Sequence, residues 1–318
     1  MIDPEMERVV QAARQTVATP YEAMEIGAAR RSFAQSAEPW NADPPELHAV
    51  SDVTIAGPGG PIACRLYEPA ADCGDGLCVY FHGGGWTFGS PATHDRAARR
   101  LALASGLRLL SVDYRLAPEH PYPAAHEDAA AIVNHLETHG LGRPIPASRL
   151  VLAGDSSGAN LALGLLLARG RQLRPAVAGA GFIYGCFDAA IQSSSHGRNG
   201  DGRFMLASQR MQWYWANFLG NASRMDAIAQ PLLASDSDLA ALPPLYLTAA
   251  GLDPLLDDSL RLAARLAGLD LSVQLDVVPG VVHGFMQMST HLSAARRAQH
   301  RIGAFLAACL APEAVTER

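Results

Sequence analysis

Leu150-Val151-Leu152-Ala153-Gly154-Asp155-Ser156-Ser157-Gly158-Ala159-Asn160 is the stretch from which the rest of this chain is read. Its first four residues form an apolar run with the length of a strand buried on both faces. Gly154, Ser156 and Gly158 then spell G-x-S-x-G, and residues 159–168 are apolar enough for a buried helix. A strand that turns abruptly into a helix holds its middle serine in a strained conformation, and the flanking glycines remove clashes that would forbid the turn. The serine Oγ is left exposed at a helix N-terminus, where the dipole favours developing negative charge. Ser156 is therefore the candidate nucleophile. A glycine-rich turn that merely packs a strand on a helix has the same spelling, so the motif needs oxyanion donors, an acid and a histidine in matching places.

Those partners are found by working outward. Residues 77–81 read as a second buried strand, which runs straight into His82-Gly83-Gly84-Gly85-Trp86. Three glycines after a strand let backbone N–H groups point into space that side chains would otherwise fill. Each such donor aimed at a tetrahedral oxyanion is worth about 3–4 kcal/mol of barrier. Downstream, residues 245–250 read as a strand followed by Gly251-Leu252-Asp253, and 273–278 as the last strand, followed by a loop carrying His283. Ser156, Asp253 and His283 thus each follow the C-terminal end of a strand, and parallel strands bring those ends to one edge of a sheet. Ser, Asp, His is also the chain order that an α/β-hydrolase arrangement requires. In that arrangement Ser156 attacks, His283 takes and returns the proton, and Asp253 fixes the imidazole tautomer. Asp257 and Asp258, a turn further on, suit N-capping of the next helix. His82, beside the glycine loop, reads as structural.

The remaining chain alternates strands with helices. Residues 1–45 read as amphipathic helix broken by Pro20, Pro39, Pro44 and Pro45; 50–56 and 62–67 read as a hairpin at the sheet edge. Helices are expected at 93–104, 124–139, 259–267 and 293–310, and strands at 108–113 and 177–184. The proline-rich connection 113–125 reads as a rigid loop held by an Asp113/Arg115 ion pair. Residues 188–228 interrupt the alternation with a polar stretch and then a helix, 204–219, carrying Trp213, Tyr214, Trp215 and Phe218. So many aromatics on one helix point to an anchored face and a second face on a pocket, with Trp86, Trp213 and Trp215 as candidate substrate contacts. The expected fold is α/β, a mainly parallel sheet covered on both faces by helices, with a helical cap. The cap would comprise 1–45 and 188–228, and the core 46–187 and 229–318.

Composition sets outer bounds. The chain has 318 residues, 49% hydrophobic and 18% charged, as in an ordinary globular enzyme. A net charge of −6 offers no basic face for nucleic acid, and no apolar run approaches the roughly 20 residues of a membrane helix. The acidic N-terminus lacks the basic and apolar regions of a signal peptide, so a cytoplasmic location is the expectation. Five scattered cysteines form no C-x-x-C pair, and no metal is expected. All 25 basic residues are arginine; without lysine, Schiff-base chemistry, a Walker lysine and Ser-Lys catalysis are ruled out together.

Taken together, these motifs closely resemble the hormone-sensitive-lipase-like family of α/β-hydrolase carboxylesterases. The resemblance rests on His82 to Gly85, on 113–125, on Gly154 to Gly158, on Asp253-Pro254-Leu255 and on His283-Gly284-Phe285, spanning about residues 50–310. It implies an oxyanion hole from Gly83, Gly84 and Gly85 with the Ser157 N–H, and a cap from the N-terminal segment and the 188–228 insertion. Ser157 and Ala159 stand where the family commonly has Ala and Gly; since Ser157 would contribute a backbone N–H, its side chain leaves that role intact. The expected activity is hydrolysis of short-to-medium acyl esters through an acyl-enzyme, with no cofactor. The expected partner is a small-molecule ester, and a homodimer stays open. An amidase or deacetylase using the same triad is the alternative enzyme. A non-catalytic small-molecule receptor is the alternative outside enzymes, since the plant gibberellin receptors resemble this family yet lack the working histidine.

Overall fold

The computed structural model describes residues 1–15, 19–222 and 225–311. Its frame is an eight-stranded sheet in the order β1-β2-β4-β3-β5-β6-β7-β8. The strands are β1 Ala49–Gly57, β2 Gly60–Glu68, β3 Leu77–Phe81, β4 Arg108–Val112, β5 Leu150–Asp155, β6 Gly179–Ile183, β7 Leu245–Leu252 and β8 Val273–Val282. The expected hairpin is the antiparallel β1–β2 pair at one edge, β2 runs antiparallel to β4, and every later pairing is parallel.

Alternation along β3 shows how the sheet is covered. Leu77, Val79 and Phe81 join one buried cluster with residues of α4 (Ala124–Thr138), α5 (Ser157–Arg171) and α9 (Leu256–Gly268). Cys78 and Tyr80 join another on the opposite face, with α1 (Pro4–Gln15), α3 (Asp95–Ser105) and α10 (Ser293–Cys309). Period-two side chains packed on both faces explain why these strands read as unbroken apolar runs. A third cluster lies over the C-terminal edge of the sheet. It joins Trp86, Phe88 and Cys186 to α7 (Ser208–Leu219) and to Ala29 of α2 (Ile26–Asn41). Two short helices, α6 (Ser194–Asn199) and α8 (Asp236–Leu239), complete the described set. No described helix is long and apolar enough to cross a membrane.

Three local expectations are corrected. Pro39 does not break its helix; it sits in the last turn of α2, which runs on to Asn41. Arg115 does not pair with Asp113, which is exposed. Its Nε lies 2.9 Å from Asp128 Oδ1 and its Nη2 3.1 Å from Glu127 Oε2. The Asp128 carboxylate is 1% exposed, and a buried charge needs such a partner more than a solvated one does. Asp257 and Asp258 do not cap α9. Asp257 accepts the Ser195 N–H at 2.8 Å, and Asp258 accepts those of Phe187 and Asp188 at 2.7 and 3.1 Å. Both therefore tie the 186–195 segment to the core.

Candidate active site

Strand register assembles the site. Leu252 of β7 pairs with Val282 of β8, so Asp253 and His283 are the next residues on neighbouring strands. Ser156 follows β5 at the same edge with φ 54° and ψ −118°, a conformation costing about 1–3 kcal/mol that the surrounding packing must impose. Its N–H donates to Ile183 O at 2.8 Å, and a Cβ on Gly158 would collide with Phe81 O, so only glycine lets α5 start this close to β3. The helix then follows at once.

His283 Nδ1 lies 2.7 Å from Asp253 Oδ2, and its Nε2 lies 2.9 Å from Ser156 Oγ. Asp253 is fully buried; its Oδ1 accepts the Leu255 N–H at 2.9 Å, and its main-chain oxygen accepts Asn199 Nδ2 at 3.2 Å. With Nδ1–H donating to Asp253, the Nε2 lone pair faces the serine hydroxyl, the tautomer that a general base needs. β8 runs on to Val282, past the strand end expected at 278, and this last stretch before His283 is held from outside the sheet: Asp3 N donates to Gly280 O at 2.9 Å, and Met6 of α1 packs against Val282.

The glycine loop is shaped from beneath. Gly83 N–H donates to Asp155 Oδ1 at 2.8 Å, so of the expected oxyanion donors Gly83 is already engaged. A Cβ on Gly83 would sit 2.5 Å from Asp155 Oδ2, which fixes glycine there. Gly84, Gly85 and Ser157 carry the N–H groups left to face an oxyanion. The connection after β4 braces this loop: Tyr114 OH donates to His82 O at 2.6 Å, and Ala117 N–H donates to Trp86 O at 2.8 Å. His82 is fully buried and stacks on Tyr114 at 4.4 Å; burial, then the nearby charge of His94, pushes its pKa down to about 3. A neutral, packed imidazole matches the structural role expected of it.

A cavity of about 240 Å³ opens over Ser156 and His283, lined by Tyr21, Phe33, Trp40, Met211, Tyr214 and Met288 among others. Trp86, Trp213 and Trp215, the expected substrate contacts, do not line it. Trp86 and Trp215 are buried against each other at 4.5 Å, with Phe218 stacked on Trp86 at 4.1 Å; Trp213 packs on Phe88 at 5.7 Å. Met211, Tyr214, Trp215 and Phe218 form one buried stripe of α7 at i, i+3, i+4 and i+7; Met211 and Tyr214 line the cavity, whereas Trp215 and Phe218 pack on Trp86. The walls from Tyr21, Phe33 and Trp40 carried no sequence signal beyond a helical N-terminal segment.

Burial pushes the Asp258 carboxyl up to about 7, against the opposing hydrogen bond from Phe187. A folded pKa raised above the unfolded 3.8 makes its contribution largest at low pH and erodes it as pH climbs from about 4 to about 7. Asp258→Asn cannot titrate. Its melting temperature relative to wild type should therefore rise between pH 4.5 and 8, by the equivalent of a few kcal/mol. A difference that stays flat with pH would contradict this.

The two-sided sheet with its serine elbow defines an α/β-hydrolase, and a family model described as alpha/beta hydrolase fold matches residues 78–287. The carboxylic ester hydrolase LipN of Mycobacterium tuberculosis is 35% identical over 253 residues, covering 77% of this chain and 66% of that relative. The ethyl acetate hydrolase of Pseudomonas putida is 34% identical over 278 residues, 85% of this chain and 86% of that relative. Among solved structures, the hyperthermophilic esterase of the archaeon Pyrobaculum calidifontis superposes with a TM-score of 0.90. It is 30% identical, covering 96% of this chain and 98% of that one. The chain belongs to the α/β-hydrolase family, in its hormone-sensitive-lipase-like branch.

Proposed function

We propose that this protein hydrolyses carboxylic esters of short-to-medium acyl chains through Ser156, His283 and Asp253. The observation that carries the reading is the unbroken line from Asp253 Oδ2 through His283 to Ser156 Oγ, with steps of 2.7 and 2.9 Å. In this mechanism His283 Nε2 takes the hydroxyl proton as Oγ adds to the ester carbonyl. The N–H groups of Gly84, Gly85 and Ser157 receive the oxyanion, and the imidazolium, stabilised by Asp253, hands its proton to the departing alkoxide. Water activated by the same imidazole then cleaves the acyl-enzyme and regenerates Ser156. Every step is a proton transfer or an acyl transfer, so no cofactor is called for.

Named relatives support the ester as substrate: a carboxylic ester hydrolase and an ethyl acetate hydrolase. The deciding experiment is a panel of p-nitrophenyl esters beside the matched p-nitroanilide. Turnover of esters with the anilide left untouched supports the reading; turnover of the anilide alone would make the protein an amidase, and turnover of neither a receptor.

We take residues 1–45 and 188–228 as the cap that sets acyl length. Phe33 stacks on Phe88 at 5.2 Å and lies on the cavity wall. Phe33→Ala should open that wall and move the preferred acyl chain up by roughly two to four carbons, the volume a truncated aromatic leaves unfilled. An unchanged chain-length profile for kcat/KM would remove Phe33 from the acyl pocket.

A further inference from the structure

The residue before the nucleophile is a carboxylate that the mechanism above does not use. Asp155 is 3% exposed, and its Oδ1 accepts both the Tyr80 hydroxyl at 2.6 Å and the Gly83 N–H at 2.8 Å. Its Oδ2 has the Tyr184 hydroxyl at 3.4 Å and, at 3.7 Å, Nε2 of His94. Burial alone would raise its pKa, but His94, Tyr80 and the Gly83 N–H outweigh it and hold the carboxyl at about 2. An ionised carboxylate therefore lies under the loop whose N–H groups would meet a developing oxyanion, and its repulsion must be met by fixed partners. His94 is well placed for that. It is 4% exposed, lies on the wall of the cavity that holds Ser156, and has Nδ1 2.9 Å from Thr93 Oγ1.

We propose that His94 is a positioning residue for ester hydrolysis. Its Nε2 holds Asp155 Oδ2, Asp155 holds the Gly83 peptide, and that peptide sets the direction in which the Gly84 and Gly85 N–H groups point. The inference rests on the esterase reading given above. The His94–Asp155 separation of 3.7 Å is longer than a hydrogen bond, and contacts at catalytic sites tighten as the reacting complex forms. His94 touches no reacting atom in this scheme; it acts through the peptide that Asp155 grips.

The test uses the full-length chain with p-nitrophenyl butyrate as substrate and phenylboronic acid as a tetrahedral mimic. His94→Leu should lower kcat about 10- to 100-fold, less than outright loss of an oxyanion donor, while KM stays within about 2-fold. Boronate affinity should fall in step with kcat. His94→Gln, which places a neutral N–H donor where Nε2 stood, should recover most of the loss. The double variant His94→Leu/Asp155→Asn should be no slower than Asp155→Asn alone, as expected of residues in one chain of contacts. If His94→Leu does not fold, His94→Asn, whose amide stops short of Asp155, takes its place with the same expectations. A rise in KM without loss of kcat, failure of His94→Gln to restore activity, or multiplicative effects in the double variant would overturn the proposal. The wild-type protein separates the two readings. If it neither hydrolyses esters nor labels at Ser156 with a fluorophosphonate, the esterase reading fails. If it does both while His94→Leu matches it, only the role of His94 fails.

Discussion

Ser156→Ala is expected to lower kcat for p-nitrophenyl esters by roughly 10⁴- to 10⁶-fold while the fold survives. The size follows from what the hydroxyl does. Without Oγ there is no acyl-enzyme, and the residual rate comes only from water attacking an ester held against the Gly84, Gly85 and Ser157 N–H groups. The fold should tolerate the change because Ser156 is held by its backbone, with N–H on Ile183 O, rather than by its side chain. Alanine at φ 54° retains the strain already present. His283→Ala should fall by a similar factor, and combining the two should add little, since the pair acts as one unit. A fluorophosphonate should label Ser156 in the wild type and nothing in the alanine variant. Labelling at another serine, or turnover by Ser156→Ala within 10-fold of wild type, would sink the assignment.

What the sequence revealed was whatever depends on local pattern. Unbroken apolar runs identified strands buried on both faces, and the residues just past those runs turned out to be those that the register of β5, β7 and β8 gathers at one edge. The Ser-Asp-His set was legible because a parallel sheet converts "one residue past the strand" into "side by side". Cavity walls obey no such rule. Phe33 and Trp40 of α2, with Tyr21 from the turn before it, line the cavity over Ser156 by packing over the sheet edge, a long-range placement with no spacing of its own in the chain. Trp86, Trp213 and Trp215 misled because large aromatics serve an anchor as readily as a pocket; within the one buried stripe of α7 only tertiary packing separates the two uses. Asp155 stood in plain view inside the elbow motif, yet its grip on Gly83 joins residues 72 apart in sequence. The N-terminal segment is likewise more than a cover. Met6 is fully buried, and the segment holds the end of β8 from which His283 follows, so removing it would disturb catalysis as well as acyl preference.

Asp253→Asn should cost about 10⁴ in kcat with little change in the melting temperature, and the geometry says why the effect is so large for a near-isosteric change. Asp253 Oδ1 accepts the Leu255 N–H and Oδ2 faces His283 Nδ1. In the variant, the amide oxygen must stay with the Leu255 N–H, because that donor is buried and would otherwise lose its partner. The amide NH₂ then faces Nδ1. Two donors cannot share that contact, so the imidazole gives up its Nδ1 proton and carries it on Nε2, pointing at the Ser156 hydroxyl it was meant to deprotonate. The wrong tautomer removes the base while leaving every heavy atom near its place. Fluorophosphonate labelling, which needs the same activated hydroxyl, should slow in parallel with kcat. Asp257→Asn is the matched control: its carboxylate holds Ser195 N–H rather than the imidazole, and its loss should change kcat by far less than that of Asp253. Equal losses at the two positions would mean that the 253–258 turn is merely structural, and that another group orients His283.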